Sequence, residues 1–388
     1  MKLIADTQTL AQALRFVGRR LPSDALMPVM YGIHLEARGT GEVVLTAHDM
    51  ETAATATVQA EVREAGTAVL PGRMLRDLAL ALPGTGEVEL VVDGGRCLLV
   101  FGGTQLEMAV LPVEEYPAPY TADKTTVRRV DGSEFAKAVA QVVVAAGQDE
   151  TLPMLTCVNL ELAGRNLSLT ATDRHRMALA QIPFADAHRK VSPVAHLVPA
   201  VELKRAAREF SRCQTLTLAV TDEPGEPLTI ASDDGRTVSM RQLYPGGYPT
   251  GKKLNSILPD PGSYAVTVDV DARALRAAVT RMTLLMERHV PMALTVDPET
   301  RRLHLYGGDG DSTRLSDNVD VREVQGEALR AAFNPELLLG GLKVFKSRVL
   351  RLQMVSPHKP LLVESAGGDG LRFLVMPVRI KEGAAAPN

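Results

Sequence analysis

The sequence predicts an α+β protein made of one unit repeated three times, each copy carrying two helices and antiparallel sheets. Three observations predict it. Helix-like apolar stripes recur at similar intervals: Leu10, Leu14, Phe16 and Val17; Phe135, Val139, Val142 and Val143; Leu275, Ala278, Val279, Met282 and Leu285. Later in each third an extended apolar run ends in a proline-marked helix start: LPGRMLRDLALAL from Leu70, VPAVELKRAAREF from Val198 and FNPELLLGGLKVF from Phe333. Between these landmarks lie matched strand-like phrases, LTAHDMETAATATV from Leu45 and LTATDRHRMALAQI from Leu169, with a degraded third copy, LHLYGGDGDSTRLSD, from Leu303.

The elements follow in order. The remaining strand signals alternate or run apolar: TAVLP, EVELVVD and CLLVFGG, then LSLTAT, AHLVP and LTLAV, then LHLYG, VLRLQMV and PLLVESA. They predict about eight strands per copy. Pro112, Pro117 and Pro119 break regular structure before the helix near Asp131, and the Gly- and Pro-rich stretch LYPGGYPTGKKLNSILPDPGS precedes the strand from Tyr264. Domains of 1–122, 123–256 and 257–388 are therefore expected, the last ending in a short flexible tail after Lys381. With 388 residues, each unit has roughly 130, enough for its own core.

Composition narrows the function. With 45% hydrophobic and 23% charged residues the chain is that of a folded soluble protein. Aromatics are 4% with no Trp, so base stacking has few side chains to use. Cys97, Cys157 and Cys213 are odd in number and lack a CxxC or His-rich setting, which makes them small buried hydrophobes under reducing conditions. MKLIADTQTL has no secretory signal pattern and no apolar run is long enough to span a bilayer, so a cytoplasmic location is expected. The net charge is −3, yet the six helix-like segments hold 16 basic against 9 acidic residues. Helices at repeated positions would thus share a positive face.

Catalytic and metal patterns are weak. His175 sits between Arg174 and Arg176 without a Ser or Cys nucleophile motif, and His48 takes the same place in the first copy, which favours architecture over catalysis. GGDGDS at Gly307 spaces carboxylates like part of a calcium loop but lacks the closing Glu. There is no P-loop and no dinucleotide fingerprint. No cofactor and no catalytic residue are expected.

Four phrases carry a resemblance: MPVMYGIHLEA from Met27, TLPMLTCVNLEL from Thr151, ATDRHRMA from Ala171 and VMPVRI from Val375. Together, in register over the whole chain, they resemble the bacterial DNA sliding clamp, the beta subunit of the replicative polymerase holoenzyme. The resemblance implies three clamp domains with helices inside and sheets outside, and a head-to-tail homodimer closing around duplex DNA without base readout. It also implies a DNA polymerase processivity factor, a non-catalytic subunit that tethers the polymerase, the clamp loader and repair proteins through short hydrophobic peptides.

By the same resemblance the partner-peptide pocket comprises Leu155, Thr172, Arg174, His175, Arg176 and Met177, then Pro249, Lys253 and Leu254, then Asn334, Pro360, Leu374, Val375, Met376, Pro377, Val378 and Arg379. Arg15, Arg19, Arg73, Lys204, Arg205, Arg276 and Lys343 are the channel candidates for DNA. Leu106 and Met108 of an edge strand would meet Met282, Leu284 and Leu285 across the dimer interface. Two departures stand out: Gly251 where the family usually offers an aromatic, and Ser23 with Asp24 where basic residues are common. The alternatives are a diverged paralogous clamp with a specialised role, or a β-rich oligomeric enzyme or scaffold that does not bind DNA.

Overall fold

The structure, a computed structural model, describes residues 1–25, 27–119, 126–185, 194–220, 226–243, 248, 257–260, 262–287, 290–308 and 314–379. Among them each third of the chain holds eight strands and two helices. The helices are α1 (Thr7–Val17), α2 (Gly72–Ala81), α3 (Gly132–Val142), α4 (Ala200–Glu209), α5 (Ala272–Leu285) and α6 (Pro335–Leu342).

The repeat is built into the local chemistry. A strand ending in Asp leads into the first helix of each third: Lys2–Asp6, Thr126–Asp131 and Val266–Asp271. The Asp6 carboxylate accepts from the Thr9 amide at 2.7 Å, and Asp271 accepts from Arg273 and Ala274 at 3.0 and 3.1 Å. Each satisfies amides that the first helical turn leaves unpaired. Asn334 caps α6 in the same way, at 2.9 Å from the Glu336 amide. In α6 Gly341 is required sterically, because a Cβ there would lie 2.1 Å from the Phe373 ring.

The chain divides into two compact units, Met1–Ser133 with Glu209–Leu243, and Glu134–Arg208 with Tyr244–Asn388. In the first, strands pair in the order Thr104–Ala109, Arg96–Phe101, Glu87–Asp93, Lys2–Asp6, Thr52–Glu64, Arg236–Met240, Leu228–Ser232, Thr215–Val220 and Thr126–Asp131, with three more strands joined through Thr52–Glu64. α1 packs on α2 and buries Leu10, Leu14, Phe16 and Val17. Phe16 also meets Phe210, and the Arg236 guanidinium lies over both rings at 5.4 and 5.6 Å. Beside them Arg20, 1% exposed, donates to both oxygens of Glu209 at 3.3 and 3.2 Å. A buried arginine is tolerable only when its fork is matched in this way.

In the second unit the order is Val194–Pro199, Cys157–Ala163, Asn166–Thr172, Arg176–Pro183, Arg372–Val375, Leu361–Ser365, Val349–Met354, Val266–Asp271, Leu315–Gly326, Arg302–Gly307, Met292–Asp297 and Leu329–Phe333. α5 packs on α6 and buries Leu275, Ala278, Val279 and Met282. The strand Arg176–Pro183 of the second third is joined edge to edge with Arg372–Val375 of the last, Arg176 opposite Val375 and Met177 opposite Leu374. The equivalent seam in the first unit pairs Thr52 with Met240.

Candidate functional site

The seam between Arg176–Pro183 and Arg372–Val375 carries an apolar concavity. It is a cavity of about 410 Å³ lined by Met154, Leu155, Thr172, Arg174, Arg176, Met177, Tyr248, Ile257, Pro360, Leu374 and Met376. Strand parity sets its floor. Met177 and Leu374 stand opposite each other in the ladder, join Leu179 and Leu362 in a buried cluster, and leave their tops to the cavity. The 3-10 turn Pro153–Thr156 supplies Met154 and Leu155 as one wall. Ile257 and Met376, 37% and 41% exposed, stand at the lip as free apolar surface.

The polar rim comes from one turn. The Asp173 carboxylate accepts from the His175 and Arg176 amides at 3.0 and 2.9 Å and from Arg176 Nε at 2.9 Å. The Thr172 hydroxyl donates to the Arg176 carbonyl at 2.7 Å. This folds the chain back so sharply that Arg174 takes a left-handed backbone, φ 75°. Below the rim the Tyr248 hydroxyl donates to the Thr170 carbonyl at 3.3 Å, and burial raises its pKa. An apolar floor under a basic rim suits an extended peptide with aliphatic or aromatic anchors.

Of the residues expected here, Leu155, Thr172, Arg174, Arg176, Met177, Pro360, Leu374 and Met376 line the cavity. Others do not. Val375 is fully buried and points from the opposite face of the sheet, since neighbours along a strand alternate sides. Asn334 is engaged as the α6 cap, and Val378 donates its amide to the Ala332 carbonyl. His175 contributes its carbonyl, accepting from the Met376 amide at 2.8 Å, and neither its ring nor Pro377 or Arg379 reaches the lining. Pro249, Lys253, Leu254 and Gly251 lie outside the described residues, as do the centre of GGDGDS and the C-terminal tail. Met154, Tyr248 and Ile257 were not expected. A signal for Tyr248 exists: Tyr116-Pro117 and Tyr248-Pro249 recur in the two linkers, and Tyr116 donates to the Thr46 carbonyl as Tyr248 does to Thr170.

The channel candidates sit on helices and their flanks. Arg19, Arg73, Lys204, Arg205 and Lys343 are exposed, Arg19 sharing Glu209 at 3.3 Å and Arg205 sharing Glu202 at 3.2 Å. Arg15 is exposed too but donates to the Ala79 carbonyl, and half-buried Arg276 turns its Nε back to Ala272. Basic residues outnumber acidic ones in α1, α2, α4 and α5, balance them in α3, and are absent from α6, whose one charge is Glu336, so the positive excess expected of every repeated helix does not extend to α6 itself. Among the interface candidates, Leu284 and Leu285 are 76% and 63% exposed on the last turn of α5. Leu285 therefore leaves the core stripe in which its spacing had put it. Met282 is the reverse: it is fully buried in its own core, as is most of Met108, while Leu106 lies half-buried on a strand paired on one side only.

Burial pushes the Cys97 and Cys157 thiols up to about 12 and about 11, leaving them un-ionised and inert as nucleophiles at neutral pH. Among the described residues no cluster of three His, Cys, Asp or Glu could hold a metal ion, and no helix is long and apolar enough to cross a membrane.

A thrice-repeated fold with an apolar trough at a strand seam and several basic helices defines a binding scaffold. Comparison with known proteins makes the class specific. Residues 1–120, 129–250 and 255–379 match, in order, the N-terminal, central and C-terminal domains of the DNA polymerase III beta subunit. The beta sliding clamp of Streptomyces coelicolor is 34% identical over 98% of this chain and the whole of that protein. The solved DNA polymerase III subunit beta of Pseudomonas aeruginosa, 22% identical, superposes with a TM-score of 0.87 over 98% of this chain and all of that one. A sliding clamp of the same organism, solved bound to griselimycin, is 21% identical with a TM-score of 0.86, again over 98% and 100%. The chain belongs to the DNA polymerase III beta subunit family, the bacterial sliding clamps, whose members are non-catalytic processivity factors.

Proposed function

We propose that this protein is the cytoplasmic processivity clamp of a bacterial replicative polymerase. Two subunits join head to tail, the strand Thr104–Ala109 with Leu106 of one meeting Leu284 and Leu285 on α5 of the other, and the ring encloses duplex DNA. Arg19, Arg73, Lys204, Arg205 and Lys343 offer phosphates a diffuse positive lining. A closed ring holds DNA by topology, so contacts that are individually weak and sequence-blind suffice and leave it free to slide. The trough over Met177 and Leu374 takes the apolar end of a partner's peptide and so tethers the polymerase, the loader and repair proteins.

The observation that carries this reading is the succession of three beta-subunit domains over residues 1–379 of one chain. Clamp-loader treatment with nicked circular DNA tests it. The protein should remain on the circle through gel filtration and leave when the circle is linearised. Release at the same rate from both forms would refute topological binding.

A further inference from the structure

The left-handed residue at the rim of the trough is demanded by the fold, and its side chain is therefore a separate choice. In the first copy the corresponding turn has the same build: Asp49 accepts from the Glu51 and Thr52 amides at 3.0 and 2.7 Å, and Met50 has φ 73° beside 75° for Arg174. Glycine adopts this backbone at least cost, and side chains with a Cβ resist it. The two copies nevertheless carry large side chains there. Met50 packs against the buried cluster of Val29, Met30 and Val69, so its presence is explained by packing. Arg174 has no such use: it is exposed and lines the cavity instead.

Its charge is also unspent. Among the described residues the Arg174 guanidinium makes no hydrogen bond or ion pair, and only its backbone amide is engaged, by the Thr172 hydroxyl. Arg176, two residues on, is held by Asp173. That ion pair consumes the one carboxylate of the turn, and none of the residues lining the cavity carries a negative charge. The rim therefore presents a free, planar, bidentate donor beside apolar pockets, the arrangement that matches a carboxylate.

We infer that Arg174 selects for a side-chain carboxylate, an Asp or Glu set among the apolar anchors of the bound peptide. This rests on the reading of the trough as a peptide site. Arg174 is then a specificity-determining residue: the anchors supply most of the affinity, and the guanidinium ranks partners by whether an acidic residue falls beneath it. Because the group starts in water, the preference is modest, about fivefold for one exposed pair that becomes partly covered on binding.

The test uses the full-length protein and labelled, C-terminally amidated hexapeptides with Leu and Phe anchors, differing in a single Glu or Gln placed at each remaining position in turn. Amidation removes the terminal carboxylate as a second source of charge. At one position wild type should prefer Glu over Gln about fivefold, and the preference should shrink with added salt. Arg174→Gly, which suits the backbone, should bring that ratio to about one, the ratio and not the affinity of either peptide being the readout. Arg174→Lys, which keeps the charge without the fork, should fall between. Equal Glu and Gln affinities for wild type at every position, or a ratio unchanged in Arg174→Gly, would overturn the assignment while the trough stands. Failure of every peptide to bind wild type overturns the trough itself and Arg174 with it.

Discussion

Truncating Met376 to Ala tests the trough with a magnitude that the structure sets. The side chain is 41% exposed at the lip, so roughly two fifths of its surface remains for a ligand to cover. Fully burying a Met side chain is worth about 1.5–3 kcal/mol, so the remaining area contributes about 0.6–1.2 kcal/mol. That predicts a loss of affinity of about three- to eightfold on area alone. If the ligand's anchor packs against Met376 in a desolvated centre, the loss rises toward about 2 kcal/mol, or about thirtyfold. The fold should not notice, because the Met376 amide that bonds to the His175 carbonyl is retained. Met177 supplies the contrast. It is 6% exposed within the cluster of Leu179, Leu362 and Leu374, and Met177→Ala should cost about 2–5 kcal/mol of stability through the cavity it leaves. Titration of a labelled polymerase peptide and urea unfolding of both variants separate the two effects. Equal peptide affinity for wild type and Met376→Ala would mean that the ligand does not touch this lip.

Four further outcomes are expected. Arg20→Ala leaves Glu209, whose side chain is 5% exposed, with the exposed Arg19 as its remaining ion-pair partner among the described residues, and should cost about 3–5 kcal/mol in urea unfolding; a loss below about 1 kcal/mol would show that the pair is not a buried one in solution. Leu284→Asp should leave the subunit as stable as wild type, since the side chain is 76% exposed there, yet open the dimer in sedimentation; an intact dimer would move the interface elsewhere. Reversing Lys204, Arg205 and Lys343 to Glu together should shorten retention on circular DNA most at low salt, and retention equal to wild type at every salt concentration would remove these helices from the channel. His34 and His48 both have pKa values lowered by burial, so the unfolded chain takes up protons before the folded one does. Their contribution is in place above the ordinary histidine pKa and is lost as pH falls below it. The urea midpoint should thus drop between pH 7.5 and pH 5.5, and drop less in His48→Gln; identical slopes would clear the histidine of that role.

Much of the fold was legible because the repeat states each element more than once. The apolar stripes of α1 and α5 and the alternating strands fall where their periods put them, and the strand-to-helix corners recur with Asp6, Asp131 and Asp271. The site was legible in part. Phrases that run along a strand carry residues to both of its faces, which is why Val375 came along with Leu374 and Met376 although its side chain lies in the core. Counting alternate positions separates them. On α5 the helical period separates Leu284 from Leu275, Ala278, Val279 and Met282 but keeps Leu285 with them, so the exposure of Leu285 on the last turn is set by where the helix ends and not by its period. Tyr248 and Ile257 come from a linker stretch whose approach to the cavity is decided by tertiary contacts, and no local period marks them.

The two seams explain why one backbone arrangement need not make two binding sites. At both, an amide of the incoming strand donates at 2.8 Å to the residue after the left-handed position: Arg241 to the Glu51 carbonyl, and Met376 to the His175 carbonyl. The side chains differ. Where the second seam offers the free apolar surface of Met376, the first places Arg241, whose guanidinium pairs with Glu51 at 3.3 Å. Where the second has the small Thr172, the first has His48, its ring bonded at 2.9 Å to the Pro117 carbonyl and set edge-on to Tyr116; the counterpart of His175 is thus Glu51 and not, as the sequence suggests, His48. Leu111, Val113 and Tyr116 then pack on the Val29, Met30 and Val69 cluster. The first seam thus spends its apolar surface on its own linker and charges its lip, whereas the second leaves the Met376 side chain 41% exposed and the Arg174 guanidinium unpaired by described residues. An Arg241→Met, His48→Thr double variant should therefore gain little peptide affinity, because Tyr116 and Val113 still fill the floor. A second binding site of comparable strength in titration would show instead that the lip alone decides which seam is open.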